Sequence, residues 1–111
     1  MTTLRVRFGK CGKVRFTSHR DVARIWERAL RRAEINVVYT QGFSPRPRVS
    51  FGLALATGHE SQAEYLDVEI VDEPVGDHRV WAAELGGRLD RVLPEGIDVL
   101  ATTTVDRSVD S

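Results

Sequence analysis

The chain is 111 residues long, 41% hydrophobic and 29% charged, and its 16 basic and 16 acidic side chains leave a formal net charge of zero. That is chain enough for one domain with a modest apolar core, and it gives no ground for disorder driven by charge repulsion. No apolar run approaches the roughly 20 residues that cross a bilayer, MTTLRVRF has no hydrophobic signal region, and the single cysteine, Cys11, cannot form an internal disulfide, so a cytoplasmic protein is expected.

Leu4 to Phe8 (LRVRF) alternates with period two, which predicts a strand with Leu4, Val6 and Phe8 on its buried face and Arg5 and Arg7 on the other. Cys11-Gly12 suits a tight turn, and Val14 and Phe16 resume the alternation, so the N-terminus is expected to form a β-hairpin. Ser18 opens a helix: its hydroxyl can cap a free N–H, and Asp21 three residues on can complete a capping box. At about 100° per residue, Val22, Ile25, Trp26, Ala29, Leu30 and Ala33 share an arc about 140° wide, while Arg20, Arg24, Arg28, Arg31 and Arg32 share a separate arc about 120° wide. The apolar arc must face the core, and the Arg arc must face solvent or a partner.

Asn36 to Thr40 (NVVYT) reads as a strand. GFSPRPR follows as a loop, because Pro45 and Pro47 cannot donate to a ladder and so exclude a central strand. Val49 to Leu55 is expected to be a short or edge strand, followed by a polar connection, TGHESQAE. Tyr65 to Val71 alternates again, with Leu66, Val68 and Ile70 on one face and Tyr65, Asp67, Glu69 and Val71 on the other. After Pro74 and Gly76, a second helix is expected over Asp77 to Val92, with Val80, Trp81, Leu85, Leu89 and Val92 as its core stripe. Gly86 and Gly87 weaken that helix and can let a neighbouring backbone approach closely. Ile97 to Val105 supplies the last strand, which puts one domain over residues 1–105 and a frayed tail over 106–111. With the hairpin's extra strand set aside and the chain between the helices counted as strand, loop, strand, the order is βαββαβ. The expected fold is therefore α+β: a ferredoxin-like βαββαβ sandwich with an added N-terminal hairpin strand, both helices on one face of an antiparallel sheet and the other face free to bind.

The zero net charge hides a division. Residues 1–52 hold twelve Lys and Arg against three acids, a balance of +9, and residues 53–111 hold four against thirteen, a balance of −9. Such an asymmetry points either to an anionic partner for the first half or to two halves that neutralise each other within the fold.

Much chemistry is excluded. One cysteine cannot hold the three-cysteine cluster of a radical S-adenosylmethionine enzyme or a thiolate zinc site. GKCGK lacks the spacing of a phosphate-wrapping loop. His19, His59 and His78 share no metal-ligand spacing, and His59 with Glu60 and Glu64 reads as a solvated polar loop. Ser18, His19 and Asp21 are too close in sequence to line up as nucleophile, base and orienter, so capping accounts for them better, with His19 as a phosphate donor at a helix N-terminus. No cofactor, metal or catalytic residue is expected.

Two features carry the functional expectation. The Arg arc of the first helix has one internal partner in view, Glu27 to Arg31, an i,i+4 pair worth about 0.3–0.5 kcal/mol. Guanidiniums gathered on one arc repel one another, which a polyanion or an acidic surface would relieve. The second feature is Gln41 to Phe51, QGFSPRPRVSF. Its prolines stiffen an extended segment on which Arg46 and Arg48 are expected to point the same way, with Gln41, Phe43 and Ser44 close by. Arg forks suit phosphate oxygens, and an aromatic ring suits an unstacked base. The competing expectation is a packed turn with Phe43 and Phe51 in the core.

The ordered motifs Arg15-Phe16-x-Ser18-His19-x-Asp21, Glu27 through Ala33 (ERALRRA), Gln41 through Phe51 and Gly58-x-Glu60-Ser61-x-x-Glu64-Tyr65-x-Asp67 together resemble the radical-SAM-linked protein family, an uncharacterised domain family, over roughly Leu4 to Thr104. The resemblance implies a domain that stands alone or is fused behind a radical-SAM module, with genomic associations that point to RNA or ribosome biology. The family pattern often has His where this chain has Arg46, so no role is assigned to an imidazole there. The function expected is a non-catalytic RNA-binding accessory module using His19, Arg20, Arg24, Arg28, Arg31, Arg32, Gln41, Phe43, Ser44, Arg46 and Arg48. The alternatives are a module docking on a radical-SAM partner and an RNA-modifying or RNA-cleaving enzyme built on His19, Asp21 or Glu64.

Overall fold

The structure, a computed structural model, describes residues 1–10, 18–53 and 64–105. In chain order the elements are β1 (Thr2–Lys10), α1 (His19–Arg32), β2 (Val49–Leu53), β3 (Glu64–Ile70), α2 (His78–Val92) and β4 (Ile97–Val105). The strands form one sheet in the order β2-β3-β1-β4, every neighbouring pair antiparallel. This is the ferredoxin-like arrangement, with β1 and β3 in the middle. The expected return strand at Val14 and Phe16 lies outside the described residues. Within them, both edges of β1 are taken from Thr3 to Phe8, by β3 and by β4.

Alternation decides which face is dry. Leu4, Val6 and Phe8 of β1 stand beside Leu66, Val68 and Ile70 of β3, in a register that sets Leu4 opposite Val68 and Val6 opposite Leu66. All six join Trp26 and Leu30 of α1 and Leu85 and Leu89 of α2 in a single buried cluster, so both helices cover the same sheet face. Trp26 packs its ring 4.9 Å from that of Phe8, and Phe51 meets Phe8 edge-on at 6.5 Å. Large buried aromatics of this kind carry much of a small domain's stability.

The helix ends follow their local chemistry. Ser18 Oγ accepts the Asp21 N–H at 3.2 Å, which makes half of the expected capping box. At the other end of α1, Arg88 of α2 donates to the carbonyls of Ala33 and Glu34, the latter at 3.0 Å, and so sets a cation against the negative end of the helix. Asp77 caps α2 by accepting the Arg79 N–H at 2.8 Å.

The core stripe of α2 differs from expectation. Val80 is 65% exposed, and the buried residues are Ala82, Leu85, Gly86 and Leu89, with Trp81 and Val92 at the margins. Positions 82, 85, 86 and 89 repeat at i, i+3, i+4 and i+7, which rotates the stripe away from Val80. Its centre is set by β4: a Cβ on Gly86 would lie 2.7 Å from Thr102 Cγ2, and the Thr102 hydroxyl donates to the Ala82 carbonyl at 2.8 Å. Gly87 faces open space.

The expected strand over Asn36 to Thr40 reduces to two isolated bridges, Val37 to Ile70 and Tyr39 to Pro47. The Val38 N–H donates to Glu69 and the Val71 N–H to Asn36, so the segment starts along β3 as an edge strand would. The ladder resumes with Val49 opposite Val68, two residues further along β3. Between those points residues 39–47 leave the sheet edge and return to it. The neck of this excursion is closed by hydrogen bonds from Arg48 N–H to the Val38 carbonyl (2.8 Å) and from Glu69 N–H to the Arg48 carbonyl (3.2 Å).

Candidate nucleic-acid interface

Helical periodicity places Arg20, Arg24, Arg28, Arg31 and Arg32 on the side of α1 away from Trp26 and Leu30, and all five are exposed. Among the described residues no carboxylate lies within 4.0 Å of any of these guanidiniums. The expected Glu27–Arg31 pair is not formed.

Three basic residues at the sheet behave differently, whereas Arg7 of β1 is exposed and has no carboxylate within 4.0 Å among the described residues. Arg5 grips Asp67 with Nε and Nη2 at 2.8 and 2.9 Å, and its guanidinium lies 4.5 Å over the Tyr65 ring. Lys10 pairs with Glu64 at 3.1 Å, and Arg48 with Glu69 at 3.0 Å. The division of charge is thus partly internal: β3 carries the acids that neutralise cations from β1 and from the segment before β2. The outer sheet face, expected to be free, is covered in its middle by these pairs and by Tyr65, whose ring occupies the space where a Cβ on Gly52 would stand.

The excursion 39–47 brings the second feature to the first. A groove between α1 and this loop is lined by Arg24, Glu27, Arg31, Tyr39, Ser44, Pro45, Arg46 and Pro47. Its walls are positioned by short-range bonds: Thr40 N–H donates to the Arg46 carbonyl (2.8 Å), and Arg46 N–H donates to Thr40 Oγ1 (3.1 Å). Pro47 is buried and anchors the returning arm. Three guanidiniums, Arg24, Arg31 and Arg46, therefore meet one carboxylate, Glu27, around one concave surface. At the loop's far end Gly42 takes φ 136°, a conformation that favours glycine. Next to it Phe43 stands wholly outside the core, 109% exposed. The packed-turn expectation for Phe43 is overturned, while Phe51 does pack against the core. Gln41 and Ser44 are exposed beside Phe43.

Arg46 and Arg48 do not act together as expected. Arg48 lines a depression on the outer sheet face with Ser50, Asp67 and Glu69, whereas Arg46 lines the α1 groove. The neck bonds to Val38 and Glu69 make Arg48 part of the sheet edge, and Pro47 divides the two sites. Arg28 and Arg32 turn to the other side of α1, where they line a cleft with Arg91. His19 begins α1, and its side chain lies outside the described residues.

Two participants went unnoticed in the sequence. Tyr39 falls in the expected strand, but its half-exposed ring lines the α1 groove. Arg91 carries no signal beyond its place in the expected second helix, and its closeness to Arg28 and Arg32 depends on how α1 and α2 pack. Among the described residues no three His, Cys, Asp or Glu side chains are grouped to hold a metal ion, and no helix is long and apolar enough to cross a membrane.

No curated protein and no solved structure matches the chain. The model of the family described as uncharacterized protein conserved in bacteria (DUF2344) matches residues 3–111, and the chain belongs to that family.

Proposed function

We propose that this domain is a non-catalytic RNA-binding accessory module, which holds a phosphate backbone on the Arg face of α1 and offers Phe43 to an unstacked base. The observation that carries the reading is the meeting of Arg24, Arg31 and Arg46 in one groove, without an ion pair among the described residues, beside a fully exposed Phe43 on a loop closed by backbone bonds. Guanidiniums fit phosphate oxygens in a fork, and aromatic rings stack on bases of any sequence. A hydrogen-bonded neck lowers the entropy lost when the loop takes a ligand. The ion-paired sheet cations contrast with this: Arg5, Lys10 and Arg48 already have acidic partners, so the polyanion is assigned to α1 and the loop.

A connection to a radical-SAM RNA- or ribosome-modifying system belongs to the same proposal and rests on the four ordered motifs, among them Glu27 to Ala33 and Gln41 to Phe51. The test is a salt series of single-stranded RNA binding by the folded domain. Affinity should fall linearly with the logarithm of salt concentration, with a slope near −0.7 per phosphate contact. No binding at low salt by protein shown to be folded would end the reading and favour docking on a protein.

A further inference from the structure

Five guanidiniums on an arc about 120° wide cannot all face one groove. Arg24 and Arg31 line the groove with the loop. On the other side of the helix Arg28 and Arg32 line a second cleft, whose remaining wall is the end of α2 and the residues after it: Arg91, Val92, Leu93 and Pro94. The floor there is apolar, with Ala29 buried and Ile25, Val92 and Leu93 partly so. Arg91, like the α1 residues, has no carboxylate within 4.0 Å among the described residues.

The negative ends of two helix dipoles explain why Arg32 and Arg91 are tolerated in the last turns of α1 and α2. They do not explain a strip of partly buried apolar side chains set among three guanidiniums that have no ion pair among the described residues. Such a strip with a cationic rim has the two parts that a single-stranded nucleotide chain needs: apolar contact for a base and forks for the flanking phosphates. The two sites are also continuous. Arg28 is four residues from Arg24 and three from Arg31, spacings that put side chains about 5–6 Å apart at Cβ on one helix surface.

We infer that the RNA track does not end in the loop groove but crosses α1 into the Arg28–Arg32–Arg91 cleft, so that the preferred ligand is a single strand long enough to straddle the helix. This rests on the RNA reading above. An α-helix with its side chains is about 10–12 Å across. A fragment of two or three nucleotides fills one groove, and only a longer strand engages both.

The experiment uses the whole chain and two oligouridylates, of about three and about twelve nucleotides, within the range of single-strand site sizes, with affinity measured by fluorescence anisotropy across salt concentrations. The double variant R32A/R91A should lower the salt slope for the longer strand by about 1.4 and leave the shorter strand unchanged. The variant R24A/R46A should weaken both strands. Thermal melting of each variant shows that it is folded. If R32A/R91A leaves the slope of the longer strand unchanged while R24A/R46A weakens it, the track is wrong and the RNA reading stands. The track is also wrong if R32A/R91A weakens both lengths equally, since the cleft would then not be a distal site. If neither strand binds the folded wild-type chain at low salt, the RNA reading falls and the track falls with it.

Discussion

Arg48 donates its backbone N–H to the carbonyl of Val38 at 2.8 Å, and that bond turns the intervening residues 39–47 into a closed loop on the sheet edge. It also separates two arginines that sit one residue apart. Arg48 joins the sheet and pairs with Glu69, while Arg46 stays on the loop arm facing α1.

The separation predicts different behaviour for the two side chains. Arg46→Ala should lower the RNA salt slope by about 0.7 with melting unchanged. Arg48→Ala removes an ion pair whose Arg side chain is 54% exposed, so it should cost no more than about 1 kcal/mol of stability. The salt slope should stay as in the wild type. Equal losses of slope in the two variants would contradict the assignment of Arg48 to the sheet.

Phe43→Ala should leave the melting temperature unchanged, because the ring buries nothing in the free protein. If the ring stacks on a base, RNA affinity should drop by about 1–3 kcal/mol at an unchanged salt slope. Truncating a buried Phe would cost about 3–5 kcal/mol of stability, so melting and affinity measured on one preparation distinguish the cases.

Gly86 and Gly87 are adjacent in one helix and should respond to alanine with opposite signs. At Gly87 the added methyl meets open space, so Gly87→Ala should stabilise by about 0.5–1 kcal/mol through helix propensity. At Gly86 it meets Thr102 Cγ2 at 2.7 Å, and Gly86→Ala should destabilise by about 1–3 kcal/mol. Adding Thr102→Ser, which removes that methyl and keeps the hydroxyl, should recover part of the loss in chemical denaturation. Additive effects in the double variant would show that the contact is not the cause.

Arg5→Ala should destabilise more than Arg48→Ala. Asp67 is 5% exposed, and Arg5→Ala takes two charge-assisted hydrogen bonds from this buried carboxylate, at a cost of about 2–3 kcal/mol. The same change also strips the cation from the Tyr65 ring. Urea midpoints of the two variants measured side by side test the ranking.

The elements themselves were legible in the sequence because their causes are local. Period-two alternation marks β1 and β3, and the 3.6 period marks α1 with its two separate arcs. The capping residue Ser18 marks the start of α1. What periodicity states is which face a residue occupies, and it leaves open which residue stands opposite. The pairing of Arg5 with Asp67 joins positions 62 residues apart and exists only because β1 and β3 are neighbours in that register. Tertiary structure likewise decided that Asn36 to Thr40 begins an edge strand and then leaves it, that Val80 faces out because β4 packs at Gly86, and that the Arg arc is divided between two grooves. Each of these depends on contacts between distant segments, whose free energy arises when the surfaces meet and leaves no periodic trace in either segment alone.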